Sequence, residues 1–89
     1  MTNYLEDTTF TNGMEVILRK YNNNKNRLML SMKRFEKDSV DYSTYDCALC
    51  YLCYKALKLT NDAGIDEISS QLNIRIQDNI EKMQRKRRI

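Results

Sequence analysis

The scarcity of helix-breaking residues is the feature that most constrains this chain, because it has no proline and only two glycines, Gly13 and Gly64. Proline and glycine disfavour a helix interior by about 3 and about 1 kcal/mol relative to alanine. We therefore expect long helices along most of the sequence and an all-α fold. With 89 residues, the chain has room for one domain, which we place at residues 1–89.

Apolar residues recur every three to four positions in three stretches, which predicts a short N-terminal segment and two to three amphipathic helices. The expected bounds are 1–12 for the segment, 13–38 for the first helix, 43–62 for the second and 66–87 for the C-terminal helix. Ser43 or Thr44 would cap the second helix, and Gly64 would end it in a left-handed conformation. The third stretch is either one continuous helix or two short helices broken at Asn73.

The first predicted helix has an interruption near its middle. Asn12 would cap it, with Glu15 three residues later as in a capping box. Asn24 and Lys25 occupy positions on its otherwise apolar face, and the run Asn22–Asn24 is a weak helix former. A kink or local fraying is an open alternative to a straight helix there.

Three apolar stripes of this size make a thin core for a small domain. Several apolar residues fall off the stripes, namely Val16, Leu30, Leu57 and Ile74. We therefore expect a homo-oligomer that buries them, with a monomeric three-helix bundle as the alternative.

The residue types that the sequence lacks exclude several kinds of catalytic and metal site. Histidine is absent, which removes serine–histidine and cysteine–histidine catalysis and histidine-bearing zinc sites. Cys47, Cys50 and Cys53 are too few for a four-ligand zinc site, so we interpret them as small buried side chains, with metal binding and redox chemistry as lesser alternatives. We predict a protein that is not an enzyme and uses no cofactor and no metal.

The charge is concentrated in two basic zones. Residues 19–37 carry seven basic residues and one acidic residue, and residues 81–89 carry five and one. The tail either complements the negative end of a helix dipole or contacts phosphates. There is no run of 18 apolar residues and no secretory-signal pattern, so we expect a cytoplasmic protein without a membrane partner.

A helix-turn-helix motif is an alternative interpretation of the C-terminal part. Residues 67–74 resemble the first helix and turn of such motifs, and residues 75–86 would be the recognition helix, although Ile80 comes one position late. A small DNA-binding regulator using residues 67–88 is therefore the second functional hypothesis. A third is an adaptor that inhibits a host protein through its helical surface.

An aromatic and basic set lies in and before the first predicted helix, namely Phe10, Lys20, Tyr21, Lys25 and Arg27. One interpretation is structural, with Phe10 packing against the helix and the cations in solvent. The other pairs aromatic faces that stack on a base with cations that hold a phosphate. Lys25 favours the second interpretation, because a lysine on an apolar face must reach solvent, a carboxylate or an anionic ligand.

Residues 8–66 resemble the small phage proteins that sequester the cyclic oligonucleotide signals of CBASS immunity, the second anti-CBASS family. The matching positions are the aromatic Phe10, the basic-aromatic pair Lys20-Tyr21, the basic residue Lys25, and in the second helix Ala48-Leu49, Leu52, Ala56 and Asn61. The arginine that this family uses for cyclic trinucleotides has no counterpart in residues 64–67.

The resemblance implies a helical homohexamer that binds a cyclic dinucleotide such as cyclic GMP-AMP between protomers without cleaving it. Phe10 and Tyr21 would stack on bases, and Lys20, Lys25 and Arg27 would hold phosphates. Such a sponge would block the anti-phage defence of the infected cell, and its expected partners are the ligand and further copies of the chain.

Overall fold

The protein is all-α in a computed structural model that describes residues 3–60 and 64–87. A short 3₁₀ turn at Tyr4–Glu6 is followed by four helices: α1 at Thr8–Lys20, α2 at Lys25–Met32, α3 at Val40–Thr60 and α4 at Ile65–Arg87. The all-α prediction is confirmed. None of these helices is long and apolar enough to cross a membrane.

The first predicted helix, 13–38, is wrong in its start, its continuity and its end. Helix α1 begins at Thr8 because the side chain of Asp7 accepts a hydrogen bond from the backbone of Phe10 at 3.0 Å, so Asp7 is the N-cap and Asn12 lies inside the helix. The predicted segment 1–12 is thus partly helical. Its residues 1 and 2 lie outside the described residues.

The asparagine run ends α1 and starts a second helix. Asn22 and Asn23 both adopt a φ of 54°, in the left-handed region that asparagine tolerates better than most residues. The side chain of Asn24 then accepts a hydrogen bond from the backbone of Arg27 at 3.1 Å and caps α2. The interruption is therefore a complete break with a new N-cap, and α2 ends at Met32, short of residue 38.

Helix α3 begins three residues before its predicted start at 43. The hydroxyl of Ser39 accepts a hydrogen bond from the backbone of Tyr42 at 3.1 Å, which is the geometry of an N-cap. Ser43 and Thr44 therefore do not cap the helix, and Ser43 is buried within it. The predicted end at 62 and the family-matching Asn61 lie outside the described residues.

Helix α4 is continuous, which decides between the two alternatives for the third stretch. Asn73 is buried within it and does not interrupt it, and the observed start at Ile65 is one residue from the predicted one. Gly64 precedes α4 without a positive φ, so the predicted left-handed cap at this glycine is wrong.

The core surrounds α3, which packs on α1, α2 and α4. One buried cluster joins α1, α2 and α3 through Leu18, Leu28, Met32, Ala48 and Leu49. The other joins the N-terminal turn, α3 and α4 through Leu5, Cys47, Cys50 and Ile76. The N-terminal turn is fastened to α4 because the backbone N–H of Tyr4 donates to the side-chain oxygen of Asn73 at 2.8 Å.

Candidate functional site

The junction between α1 and α2 concentrates positive charge. Lys20 ends α1, Lys25 begins α2, and Arg27 lies in the first turn of α2; all three side chains are exposed. A helix N-terminus carries positive potential, and α2 has no acidic residue in its first turn to balance it. The backbone N–H groups of Lys25 and Asn26 have no carbonyl partner within the helix. This end of α2 is thus suited to an anion.

Lys25 lies on the rim of an apolar groove between α2 and the C-terminal half of α3. The groove has a volume of about 460 Å³ and is lined by Asn23, Lys25, Leu52, Cys53, Ala56, Leu57 and Thr60. Lys25 is the one charged residue in this lining. Apolar walls with a single cation at the edge can hold a flat, uncharged ring and a negative group beside it.

Tyr21 lies in the contact between α1, α2 and α3. Its hydroxyl is 2.8 Å from the hydroxyl of Ser31 and donates to the hydroxyl of Tyr45 at 3.2 Å. Its ring meets that of Tyr45 edge to face, with centroids 5.8 Å apart. The side chain is half-buried, and within one chain these contacts account for its polar group.

Phe10 lies at the opposite end of α1 from the basic junction. Its ring centroid is 5.7 Å from that of Tyr4, and it packs against the cluster that contains Leu5 and Ile76. Ten residues of α-helix separate it from Lys20, a rise of about 15 Å. One chain therefore places Lys20, Lys25 and Arg27 at the junction of α1 and α2 and leaves Phe10 near the other end of α1.

A buried carboxylate between α3 and α4 was not identified from the sequence. Asp46 accepts from Nε of Arg75 at 2.7 Å, from Nη2 of the same side chain, and from Nδ2 of Asn79 at 2.7 Å. The hydrogen bonds to Asp46 raise the pKa of Arg75. One feature of the sequence could have indicated this contact, because Asp46 directly precedes Cys47, which the sequence predicts to be buried. A carboxylate close to a buried position is costly unless a partner neutralises it.

A surface ion pair connects α1 and α3. Lys55 donates to Glu15 at 2.6 Å, and the hydroxyl of Tyr51 donates to the same carboxylate at 3.1 Å. The bond from Lys55 lowers the pKa of Glu15. Each charged group has its partner within this contact, so its role is to hold the two helices together.

Two of the three cysteines are core residues. Cys47 and Cys50 are buried beside Ile76, and burial raises the pKa of both thiols to about 12. Cys53 is half-buried and packs on the other cluster. The prediction that these side chains pack as small hydrophobes is confirmed for Cys47 and Cys50.

The basic C-terminal zone is an exposed helix end as far as residue 87. Lys86 approaches Asp38 at 3.4 Å, and Arg88 lies outside the described residues. The helix-turn-helix interpretation needs a turn near Asn73, and residues 65–87 form one uninterrupted helix instead. The predicted recognition helix is therefore continuous with the helix before it.

Comparisons of the chain with protein-family models, with curated proteins and with solved structures gave no match.

Proposed function

We propose that the protein sequesters a cyclic dinucleotide without cleaving it, as an assembly of identical chains. The observation that carries this proposal is the position of Lys25, the one charged residue of an apolar groove, at the N-terminus of a helix. A cyclic dinucleotide combines flat bases with negative phosphates, and the groove offers an apolar wall and a cation for these two parts.

The phosphate is assigned to Lys25, with Arg27 and Lys20 raising the local positive potential. A charge-assisted hydrogen bond from Lys25 and the free N–H groups at the start of α2 act on the same anion. The base lies against Leu52 and Leu57 in the groove.

Phe10 enters this proposal through the assembly, whereas Tyr21 is the C-cap of α1 at the basic junction itself. Phe10 is about 15 Å from the basic junction along α1, so a ring that stacks on the same ligand comes from a neighbouring copy. Exposed apolar side chains supply surface for such contacts: Val16 is 53 % exposed, Leu30 61 % and Ile74 55 %. The hexamer implied by the family resemblance is one assembly of this kind.

The action is stoichiometric. A protein that binds its ligand tightly lowers the free concentration available to a receptor by mass action, and it needs no chemical step. Its effectiveness depends on affinity and abundance.

Calorimetric titration of the purified protein with cyclic GMP-AMP tests the proposal. The expected result is saturable binding at about one ligand per two chains, with intact ligand recovered afterwards. Lys25→Ala should weaken binding by about tenfold or more, as expected for a lost charge-assisted hydrogen bond. Lys82→Ala, which removes an exposed cation of α4, is the matched control and should leave the affinity unchanged.

Three outcomes would contradict the proposal. They are the absence of heat with every cyclic dinucleotide, recovery of a hydrolysed ligand, and equal losses for Lys25→Ala and Lys82→Ala. Analytical ultracentrifugation of the same samples measures the assembly, and a monomer that binds one ligand per chain would remove the neighbouring copy from the site.

A further inference from the structure

A second pocket lies on another part of the molecule, where the end of α2, the linker to α3 and the middle of α4 meet. Its volume is about 420 Å³, within the range of small-molecule sites. The lining residues that matter here are Lys33, Phe35, Lys37, Tyr42, Asp46 and Arg75; two methionines and a leucine complete it. None of these residues belongs to the groove at Lys25.

Arg75 presents a fixed set of donors in this pocket. Asp46, which is 5 % exposed, binds the Nε and Nη2 groups of Arg75, whose side chain remains 55 % exposed. A guanidinium has five N–H donors. The carboxylate of Asp46 accepts from two of them and fixes the orientation of the group, and the other donors remain available to a ligand. Asn79 donates to the same carboxylate and further fixes it.

The lining carries a net positive charge. It contains three basic residues and one acidic residue, for a formal charge of +2. The acidic residue, Asp46, is already paired with Arg75. Lys33 and Lys37 are exposed, and neither makes a salt bridge within residues 3–60 and 64–87. Two unpaired ammonium groups beside an oriented guanidinium favour an anion with several oxygens, such as a phosphate.

The same pocket has aromatic walls. Phe35 is half-exposed, and its ring meets that of Tyr45 edge to face with centroids 5.1 Å apart, which holds its orientation. Tyr42 contributes a second half-exposed ring. Aromatic faces of this kind stack on planar bases.

We propose that this pocket binds a nucleoside monophosphate, with its base against Phe35 and Tyr42 and its phosphate on Lys33, Lys37 and Arg75. The proposal is independent of the sequestration proposed above, because it involves other residues and a simpler ligand. If this proposal failed, the proposal for the groove at Lys25 would be unaffected.

Titration with AMP and GMP tests the pocket, with binding followed by calorimetry and by ligand-observed NMR. We expect saturable binding below about 1 mM. Adenosine and inorganic phosphate, which each carry half of the ligand, should bind at least about tenfold more weakly than AMP. No saturation with either nucleotide up to about 1 mM, or equal affinity for adenosine and AMP, would overturn the proposal.

Variants locate the site without disturbing Asp46. Lys33→Ala combined with Lys37→Ala should weaken AMP binding by about tenfold or more. Arg34→Ala is the matched control, since Arg34 is an exposed cation in the same segment that does not line the pocket. Equal losses for the control and the double variant would indicate non-specific attraction and overturn the site.

The Phe35→Leu variant distinguishes the contribution of the base to binding from that of the phosphate. It removes the ring and keeps an apolar side chain, so AMP should bind more weakly while inorganic phosphate binds as before. The assigned orientation would be contradicted if the variant bound AMP as tightly as the original protein does, or if only its affinity for inorganic phosphate fell. Thermal unfolding of every variant, followed by circular dichroism, identifies any that lose affinity because they lose structure.

Discussion

Asp46 and Arg75 join the N-terminal half of α3 to the centre of α4 through a carboxylate that is almost fully buried and a guanidinium that remains more than half exposed. Both carboxylate oxygens have partners, because Oδ1 accepts from Nη2 of Arg75 and Oδ2 accepts from Nε of Arg75 and from Nδ2 of Asn79. Burial of a charged group is tolerated when its hydrogen bonds are satisfied in this way. The pair therefore fixes how α3 and α4 pack and also orients the donors of Arg75.

Removal of the buried carboxylate is expected to destabilise the fold. Asp46→Ala should lower the free energy of unfolding by about 2 kcal/mol, since it strands Asn79 and Arg75, and the exposure of Arg75 limits the loss. Urea denaturation measures this change. Asp78→Ala is the control, because Asp78 pairs with Lys82 at 3.3 Å on the surface. It should cost less than about 0.5 kcal/mol. Equal losses would contradict the assigned role of Asp46.

The left-handed turn between α1 and α2 gives a second prediction. Asn22→Ala should lower the free energy of unfolding by about 1 kcal/mol, because alanine adopts a positive φ with difficulty. Asn22→Gly is the matched variant and should be close to neutral, since glycine has no Cβ to strain. Thermal unfolding compares the two, and an alanine variant as stable as the glycine variant would contradict a positive φ at this position.

The two long helices were predictable because one physical signal dominates them. In α3 and α4 the apolar residues recur without interruption, and the predicted ends differ from the observed ones by at most three residues wherever the structure describes them. The prediction of the first helix was wrong at the positions where side-chain hydrogen bonds to the backbone decide the structure and the spacing of apolar residues does not. Asp7 and Asn12 are both acceptable caps, and the sequence alone does not decide between them. Asn22 and Asn23 permit a helix or a left-handed turn.

The candidate sites were predictable only in part. Lys20, Lys25 and Arg27 are close in sequence, so their proximity follows from the chain itself. The contact between Asp46 and Arg75 joins residues 29 positions apart and depends on how α3 and α4 pack. Phe35, Tyr42 and Arg75 line one pocket because the linker before α3 packs with α3 and α4, and no local pattern in the sequence indicates this.

The hydroxyl of Tyr21 supplies a third prediction. Tyr21→Phe should lower the free energy of unfolding by about 1 kcal/mol, because it removes the bonds to Ser31 and Tyr45 and keeps the ring. Tyr54→Phe is the control, since the Tyr54 ring is approached by the ammonium group of Lys58, a contact that phenylalanine retains. It should change the free energy of unfolding by less than about 0.5 kcal/mol. Urea denaturation measures both, and a neutral Tyr21→Phe would contradict the bonded hydroxyl.

Thiol labelling provides a fourth prediction. With a disulfide reagent at pH 8 the native protein should expose one thiol rapidly, that of Cys53, because Cys47 and Cys50 are 0 % and 1 % exposed. The denatured protein should expose all three. Mass spectrometry of the labelled chain identifies the position, and Cys53→Ser should abolish the rapid phase. Rapid labelling of Cys47 in the native protein would contradict its burial.

The buried thiols also make the stability of the protein depend on pH in the alkaline range. Burial raises the pKa of Cys47 and Cys50 from 9.0 in the unfolded chain to about 12 in the folded protein. Between these values the unfolded chain has released protons that the native state retains, so rising pH favours unfolding. The contribution of these thiols to stability should therefore be constant well below pH 9 and fall as the pH rises between 9.0 and about 12.

Urea denaturation from pH 8 to pH 11, under reducing conditions, measures this dependence. Other groups titrate in the same range, so the decisive comparison is with a variant that carries Cys47→Ala and Cys50→Ala. This variant should be less stable at pH 8, because each substitution leaves a small cavity, yet lose less stability as the pH rises. Parallel pH profiles for the two proteins would contradict raised thiol pKa values, and would mean that water reaches these thiols in the native state.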